Sequence, residues 1–515
     1  MLARAGSWQA SNLSQRLHRL SLGLSDTIWA MDTRTERSKG AHSKHQMPET
    51  ELSADTVVVG AEMRQFWVDA ENLPLLPDMR PTSTVRDSLY ELIPLGPREE
   101  KLISTQPFLR LQQVKQLGFV YRVWPGATHT RYEHSLGSYH LAVRALRALL
   151  QRGEAGGLDG VSVKSIQALV VATLLHDIGH YPYSHTIEEL GHPIVRHEQV
   201  GRSIIEKSEI ATILERDYQL APDRVANFID PQKSTRWPED DALLSHLLSG
   251  ALDVDKLDYL PRDARGCNVP YGGVDVSRLL GALRVHPDVR GQRQIVVTHK
   301  GISPLHSLLH ARQEMFDNIY WHHTIRALQI MLVRAVQDAL TEGNITAEQL
   351  VGHDDESLLM ALLEPQMPAS SRALAEALKL RRPYKEILEV SRLAGRLFHR
   401  LEALFWDAER RRRIEKALTA ELASALNTEI ADYEILFDIP RPEKWEMNVW
   451  IWFEQPPVGM ETLMPWVEVT GLQPDDLARY EQHQRRIRLV AAERLRPLLL
   501  EHKDDLLLPT LDQLL

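Results

Sequence analysis

The sequence is poor in the features that mark several protein classes. Its 515 residues include one cysteine, Cys267, so no intramolecular disulfide can form and secretion has no support. We find no apolar run long enough to span a membrane, no internal repeat, no P-loop and no dinucleotide fingerprint. Positive charge is not in excess either, because the formal net charge is −10, which argues against a general nucleic-acid coat. What remains is an ordinary composition in a chain long enough for about two to four domains.

The first part of the chain differs from the rest. Residues 1–25 carry three arginines and no acidic residue, a pattern that faintly resembles a transit peptide. A disordered tail, or a true start at Met31 or Met47, explains the pattern at least as well. We therefore predict a partly disordered N-terminal extension over 1–84, a core over 85–330 and a C-terminal region over 331–515.

Histidines and aspartates in three separate segments suggest a metal centre. The segments are RYEHSLGSYH around His134, LLHDIGHYPYSH with His176 and Asp177, and DVDKLDYLPRD with Asp255 among its acids. Imidazole nitrogen and carboxylate oxygen suit divalent Mn, Fe, Ni, Zn or Mg, and no thiolate takes part. A His-Asp pair on a helix could reach one ion, and ligands from the other two segments would close the site.

The sequence around the His-Asp pair strengthens this interpretation. A lone His-Asp dipeptide is usually an accident of the surface or the core. Here it ends an almost wholly apolar run, 166–175, which predicts a buried helix. Burying His176 and Asp177 is costly unless they are paired or bind metal. His180 follows His176 at a spacing of four, which places it on the same helical face.

Four longer motifs resemble a known family. They are KQLGFVYRVWPGATHTRYEHSLG (115–137), HDIGHYPYSH (176–185), DVDKLDYLPRDA (253–264) and ARQEMFDNIYWHHT (311–324). In this order they resemble the HD-superfamily dNTP triphosphohydrolases, with a likeness that runs from about Asp87 to about Ile330. The resemblance implies a mainly α fold, with a phosphodiesterase-like helical HD core and a helix-rich C-terminal region containing a few short strands.

The resemblance also assigns roles to residues. The implied metal ligands are His134, His176, Asp177 and Asp255, the last because it directly precedes the lysine of the D-V-D-K run. The residues implied around the scissile phosphate are His180, His185, His197 and Glu188. The implied phosphate contacts are Arg131, Lys256 and Arg312. The implied sugar and base pocket comprises Gln116, Leu117, Tyr259, Asp263 and Tyr320, with Asp263 and Gln116 reading the 3′-hydroxyl.

Each assignment has a plainer alternative. Lys256 and Arg262 could be solvated charges on a helix, and Tyr259 and Tyr320 could be core aromatics. Only their placement inside the matching motifs favours the functional interpretation.

The predicted activity is metal-dependent hydrolysis of a dNTP to a deoxynucleoside and tripolyphosphate. We expect a cytoplasmic homo-oligomer, with a tetramer favoured, no membrane association and weak support for nucleic-acid binding. One alternative is an HD phosphohydrolase or phosphodiesterase acting on another nucleotide or on a cyclic nucleotide. The other is a nucleotide-sensing or nucleic-acid-binding scaffold with a vestigial site. Alarmone hydrolases are disfavoured because HDIGHY replaces their H-D-x-x-E-D run, and cyclic-di-GMP enzymes because their separate Gly-Tyr-Pro motif is missing.

The chain departs from the mammalian members of the family at one place. Those enzymes hold an activating guanine nucleotide with an aspartate, a glutamine and an arginine. Ungapped alignment from the first motif puts Ser104, Leu109 and Gln112 at these positions. Serine lacks the paired acceptors of a carboxylate and glutamine lacks charge. We therefore predict no guanine-specific activation of that kind.

The remaining sequence predicts a mixture of helices with a few strands. Residues 294–301 alternate like a short strand, and 302–340 return to helical periodicity. Two further strands are predicted within 430–442 and 445–455, in a small α+β subdomain. The basic run 410–413 is interpreted as a solvated helix face rather than a nucleic-acid contact.

Overall fold

A computed structural model describes most of the chain beyond its N-terminal part. The described residues are 82–152, 156–232, 236–288, 290–442, 448–472, 476, 479–480 and 483–515. The predictions for the N-terminal extension lie outside the described residues, except for its last three positions.

The first part of the described structure is a hairpin followed by helices. Strands β1 (Ser83–Asp87) and β2 (Glu91–Leu95) pair antiparallel. The helices that follow are α1 (Pro97–Ile103), α2 (Gln106–Arg110), α3 (Arg131–Leu150), α4 (Val163–Leu175), α5 (His185–Glu188), α6 (His197–Lys207), α7 (Glu209–Ile213), α8 (Pro222–Ile229), α9 (Glu239–Ser249) and α10 (Val254–Cys267).

Two helices at the centre of this part have clear sequence causes. Helix α3 begins at a capping box, in which Thr130 and Glu133 satisfy each other's backbone N–H groups. Helix α4 begins at Ser162, whose side chain accepts from the Lys164 N–H. Ten residues of α4 are buried, because α3, α8 and α9 pack around it while α10 packs on α3.

A mixed sheet joins sequence segments that lie far apart. Helix α11 (Val276–Gly281) precedes β3 (Leu283–Pro287) and β4 (Arg293–Thr298), which pair antiparallel. Strand β7 (Trp450–Trp452) pairs parallel with β4, and β8 (Leu463–Pro465) completes the order β3-β4-β7-β8. Helices α12 (Ile302–Met315) and α13 (His323–Thr341) follow, separated by a π-helical turn over Phe316–Tyr320.

The C-terminal region combines helices with a second sheet. Its helices are α14 (Ala347–Gly352), α15 (Asp355–Ala361), α16 (Ala369–Lys379), α17 (Arg396–Glu402), α18 (Ala408–Ala425), α19 (Trp466–Thr470), α20 (Arg496–Glu501) and α21 (Leu508–Leu514). Its sheet has the order β5-β9-β6, from strands Lys385–Val390, Ile487–Ala491 and Ile435–Asp438.

The prediction of a mainly α fold is confirmed. The two strands predicted within 430–442 and 445–455 exist, but they lie in different sheets, as β6 and β7. The apolar cores also cross the predicted boundary at 330: Ile451 and Trp466 pack with the first helices, and Tyr183 and Ile187 pack with α13 and the helices after it.

The basic run on α18 is only partly a solvated face. Arg410 and Arg413 are exposed as predicted, whereas Arg411 is buried and Arg412 pairs with Asp338 at 2.9 Å. The run therefore also joins α18 to α13. Among the described helices, none combines the length and apolar character that crossing a bilayer requires.

Candidate active site

The four predicted metal ligands come together from three elements. His134 lies in α3, His176 and Asp177 follow α4, and Asp255 lies in the first turn of α10. His134 Nε2 is 2.8 Å from Asp255 Oδ1 and 3.2 Å from His176 Nε2. Asp177 places one oxygen 3.6 Å from His134 Nε2 and the other 3.4 Å from His176 Nε2. We refer to these four residues as the cage.

The His-Asp pair lies in a turn rather than on the helix. Helix α4 ends at Leu175, and His176 to Gly179 form the turn that follows. A Cβ on Gly179 would lie 2.1 Å from the backbone oxygen of His197, so a glycine is required for α6 to approach this closely. The prediction that His180 shares a helical face with His176 is therefore wrong, although His180 still reaches the site.

Hydrogen bonds on the far side of each imidazole suit the cage to a cation. His134 Nδ1 lies 2.8 Å from Asp258 Oδ2, and His176 Nδ1 lies 2.8 Å from the backbone oxygen of Thr173. A carboxylate and a carbonyl can only accept, so both Nδ1 atoms donate and both Nε2 atoms turn toward the cage. The two Nε2 atoms lie 3.2 Å apart with carboxylate oxygens beside them, so this point of the structure requires a positive charge, which a proton or a bound cation can supply. The donor set therefore fits a divalent metal ion.

The electrostatics of His134 agree with this. Burial lowers its pKa, but hydrogen bonds to Asp255 and Asp258 outweigh burial and raise the pKa to about 10. The surrounding carboxylates thus favour positive charge at this point of the structure.

A buried ion-pair chain supports the cage from behind. Arg262 donates to Asp258 at 2.8 and 2.9 Å and to Asp87 at 2.8 Å. Arg262 is 2% exposed, so the alternative of a solvated helix charge is wrong for this residue. A Cβ on Gly137 would lie 1.9 Å from Asp258 Oδ1, so α3 needs a glycine here to admit the pair. Sequence reasoning missed Asp87 and the role of Asp258, although the spacing of four between Asp258 and Arg262 was a usable signal.

The predicted catalytic histidines form a second group beside the cage. Glu188 accepts from His185 Nδ1 at 2.8 Å and from His197 Nδ1 at 2.8 Å. The rings of His180 and His197 stack at 3.8 Å. His180 Nε2 lies 3.1 Å from Asp177 Oδ1, which links the two groups. The side chain of His185 is 63% exposed, so this histidine faces solvent.

The pKa directions give these groups different charges. Burial, with Arg131 and His197 nearby, holds the pKa of His180 well below its usual value, so its ring is neutral. Burial lowers the pKa of His197, but the hydrogen bond to Glu188 outweighs burial and raises it. Burial raises the pKa of Glu188, yet hydrogen bonds from His185 and His197 outweigh burial and lower it. Glu188 is thus an ionised acceptor for two histidines.

The predicted phosphate contacts are close to the site but already paired. Arg131 donates to Asp177 at 2.7 Å and to the Ser184 hydroxyl at 3.0 Å. Lys256 donates to the backbone oxygen of Gly250 at 3.3 Å and pairs with Asp253. The guanidinium of Arg312 lies 5.5 Å from the centre of the Phe316 ring. A phosphate would have to share or replace these partners.

The predicted sugar pocket centres on Asp263. Its carboxylate lies 2.7 Å from His129 Nε2 and accepts from the Tyr320 hydroxyl at 2.6 Å. Tyr259 and Tyr320 are half-buried, and the Tyr259 ring lies 6.5 Å from that of His134. The Oε1 atom of Gln116 is buried, without a hydrogen-bond partner in the described part of the chain.

The predicted pocket also includes Leu117. Leu117 is half-buried and packs against the hydrophobic cluster that surrounds α4. Sequence reasoning did not single out His129, the residue that joins this pocket together.

The segment that carries the catalytic histidines is held by residues from elsewhere. Arg110 donates to the backbone oxygens of Ile178 at 3.2 Å and His180 at 2.7 Å. Asp355, at the start of α15, accepts from the backbone N–H groups of Tyr183 at 2.6 Å and Lys115 at 3.0 Å.

A second hold comes from Arg326 of α13. It grips Glu189, which follows α5, at 2.7 and 3.1 Å, and Asp438 of β6 at 2.8 Å. Neither Asp355 nor Arg326 was predicted from the sequence, because no local pattern marks so distant a partner.

Two family descriptions match the chain over much of this architecture. The HD domain matches residues 131–260, which contain the whole cage. Residues 131–260 of the chain therefore form an HD domain. An HD associated region matches residues 274–478, and therefore covers α12, α13 and much of the C-terminal region.

Several characterised and uncharacterised proteins are similar to this HD protein. An uncharacterised protein of Methanocaldococcus jannaschii is 31% identical over 60% of this chain and 60% of its own length. The deoxynucleoside triphosphate triphosphohydrolase SAMHD1 of Homo sapiens is 30% identical over 49% of this chain and 44% of its own. A crystal structure of a hypothetical protein from Aquifex aeolicus, 27% identical, covers 82% of this chain and 100% of that one, with a TM-score of 0.62.

The predicted resemblance to the HD-superfamily dNTP triphosphohydrolases is confirmed. The matches span about half of the curated relatives' lengths, from 44% to 60% in the two cases above. The similarity thus shows an HD domain, and the residues of its cage could hold a metal ion.

Proposed function

We propose that this protein is a metal-dependent dNTP triphosphohydrolase. The observation that carries the proposal is the cage, in which imidazole and carboxylate groups from three elements converge with both imidazoles oriented by hydrogen bonds on their far side. The similarity to the human deoxynucleoside triphosphate triphosphohydrolase SAMHD1, which is 30% identical, supports the same substrate class. The native metal is proposed to be one of Mn, Fe, Mg, Ni or Zn.

The cage and the arginine beside it suit a triphosphate. A divalent cation held by the cage would supply Lewis acidity to a phosphate oxygen and to the attacking water. Arg131 contacts Asp177 of the cage, so its guanidinium lies close enough to donate to a phosphate bound beside the cage. Lys256 and Arg312 are proposed to neutralise the remaining charge after leaving their present partners.

The second histidine group is proposed to handle the proton. Glu188 accepts from Nδ1 of His185, so Nε2 of this solvent-facing ring is left to give a proton to the 5′-oxygen of the sugar. Water oxygen then bonds to the α-phosphorus and loses one proton to solvent, while the bond from phosphorus to the 5′-oxygen breaks. Its electron pair stays on the 5′-oxygen, which leaves as the deoxynucleoside hydroxyl, and tripolyphosphate remains.

A product analysis tests the proposal. The purified protein is incubated with each of the four dNTPs and each candidate metal, and the products are separated by ion-exchange chromatography. Deoxynucleoside and tripolyphosphate are expected in equal amounts. Deoxynucleoside monophosphate with pyrophosphate, or diphosphate with phosphate, would place the attack elsewhere, and turnover of cyclic nucleotides alone would favour the phosphodiesterase alternative.

We also propose that the protein assembles as a homo-oligomer, with a tetramer favoured. Light scattering of the purified protein, with and without dNTP, measures the mass directly. A mass equal to one chain under both conditions would contradict this part of the proposal.

A further inference from the structure

His129 joins the two residues proposed to read the sugar hydroxyl. Its backbone oxygen accepts from the N–H of Gln116 at 3.0 Å, and its ring Nε2 lies 2.7 Å from Asp263 Oδ1. The residue is 9% exposed. His129 therefore contacts both residues that are proposed to bind the 3′-hydroxyl. It contacts Gln116 through the backbone and Asp263 through the side chain.

Helix α10 is shaped to admit this ring. Gly266 follows Asp263 by three residues, which places both on one face of the helix. A Cβ on Gly266 would lie 2.5 Å from His129 Nδ1 and 2.7 Å from its Cε1. Any other residue would push the ring away from Asp263, so the glycine and the hydrogen bond belong to one arrangement.

The two nitrogens of the ring are used unequally. Nε2 is bound to Asp263, whereas Nδ1 is buried without a partner in the described part of the chain. Leaving a buried ring nitrogen unbonded costs free energy. The position of the ring is therefore explained by the hydrogen bond between Nε2 and Asp263.

The carboxylate of Asp263 has capacity left for a ligand. Oδ1 is engaged by His129 and Oδ2 by the Tyr320 hydroxyl, and a carboxylate offers about four acceptor positions. With one donor on each oxygen the carboxylate plane cannot rotate, and its free lone pairs keep a fixed direction. Without His129, one of these two restraints is gone.

We propose that His129 is a positioning residue that orients Asp263 toward the 3′-hydroxyl of the substrate and so sets the preference for substrates that carry this hydroxyl. The inference rests on the proposed function, because it assumes a nucleotide sugar in this pocket. The ring does not touch the reacting atoms; it acts through Asp263.

Substitutions that separate the donor from the size of the side chain test this inference. His129→Gln keeps an N–H donor at nearly the reach of Nε2, His129→Asn offers one that is too short, and His129→Leu offers none. The readout is the ratio of kcat/KM for a dNTP to that for the matching 2′,3′-dideoxynucleoside triphosphate. Circular dichroism and bound metal are measured on every variant.

The expected results differ by variant. The wild-type ratio is high; His129→Leu and His129→Asn lower it by about 10- to 100-fold, and His129→Gln keeps it within about threefold. If His129→Leu does not fold, the comparison of the Gln and Asn variants carries the test.

Several outcomes would overturn the inference. One is a loss of activity by the same factor on both substrates in the Leu or Asn variant, because a merely structural role leaves the ratio unchanged. A second is a kcat/KM ratio that falls as far in the Gln variant as in the Leu and Asn variants. A third is a wild-type ratio near one. A wild-type protein that hydrolyses no dNTP would overturn the proposed function itself, and the inference with it, whereas an unchanged ratio in active variants overturns the inference alone.

Discussion

At the scale of single residues, Asp177 connects the two groups of the site, which are the cage and the group formed by Glu188 and the catalytic histidines. One of its oxygens lies beside His134 and accepts from Arg131, and the other lies beside His176 and His180. Burial raises the pKa of this carboxyl, but Arg131 and the histidines outweigh burial and hold it well below its usual range. Asp177 thus contributes a permanent negative charge where cage, phosphate contact and catalytic histidines meet.

Replacing this charge at constant shape should stop the reaction. Asp177→Asn removes one predicted metal ligand and the negative charge that pairs with Arg131. We expect turnover to fall by several orders of magnitude, about 10³-fold or more, with reduced bound metal and a folded protein. Steady-state assays and metal analysis measure both effects. Asp512→Asn, at a carboxylate whose side chain is 73% exposed, is the control, and wild-type turnover in metal-free Asp177→Asn would contradict a metal mechanism.

The bridge from Glu188 to His185 and His197 should make stability depend on pH. The pKa of Glu188 is lowered, so its contribution is present above about pH 4.3 and is lost as the pH falls toward the lowered value. The pKa of His197 is raised, so its contribution is present below about pH 6.5 and is lost as the pH rises through the raised value. Both contributions are complete only between these two limits.

Glu188→Gln should therefore destabilise the protein most near pH 5.5. We expect a loss of about 1–3 kcal/mol in the free energy of unfolding there, and a smaller loss at pH 9, where a smaller fraction of His197 is protonated. Urea unfolding at the two pH values measures the difference. Glu409→Gln, at a side chain that is 90% exposed, is the control. Equal losses at both pH values would show that no charged pair forms.

At the scale of elements, the segment between α4 and α6 has a conformation that its own sequence does not explain. Tyr183 and Ser184 both have positive φ angles, of 57° and 58°, which non-glycine residues rarely adopt. The segment is held from outside, by Arg110 of α2 and by Asp355 of α15. The position of His185 thus depends on helices distant in sequence.

Weakening the hydrogen bonds between Asp355 and this segment should impair the reaction without changing a residue of the cage. Asp355→Asn keeps the size of the side chain but leaves one acceptor oxygen for the N–H groups of Tyr183 and Lys115. We expect kcat/KM to fall about 10-fold and stability to fall by about 1–3 kcal/mol. The neighbouring Asp354→Asn is a matched control, because asparagine caps a helix as well as aspartate does. Indistinguishable kinetics for the two variants would show that this hold does not matter for the reaction.

The sequence predicted features that depend on interactions between residues close in the chain, and it missed features that depend on distant residues. Apolar residues at spacings of three and four predict α3 and α4, and a capping box marks where α3 begins. The four residues that the resemblance implies as metal ligands lie close together in the structure. The turn after α4, the burial of Arg262 and the ring of His129 on Gly266 were not predicted, because each depends on a partner that comes close only after folding.

At the scale of the whole molecule, the described chain has three hydrophobic clusters, and the site lies between the first two. The first cluster surrounds α4, and the second joins Tyr181, Tyr183 and Ile187 to α13. Arg326, which is 4% exposed, adds an ionic connection from α5 to the sheet of the C-terminal region.

At the whole-molecule level, guanine-specific activation of the kind that the mammalian enzymes use should be missing. Ser104 ends α1 and Gln112 lies in the short helical turn after α2, so neither position offers a charge for a nucleotide. Each lost contact removes about 1.5–3 kcal/mol, and two or three would weaken an activator by orders of magnitude. The test measures the rate of dTTP or dATP hydrolysis with and without GTP. Light scattering follows assembly in the same samples. A large stimulation by GTP that is lost on mutating 104–112 would contradict the prediction.

The hold on the catalytic segment bears on how such proteins can be rearranged in evolution. A piece of this chain cut at residue 260 would carry every predicted metal ligand and would lack Arg326 and Asp355. Moving that piece into another protein would transfer the ligands without the contacts that keep His185 beside them. The smallest unit that recombination can exchange with its chemistry intact is therefore longer than the stretch by which the domain is recognised.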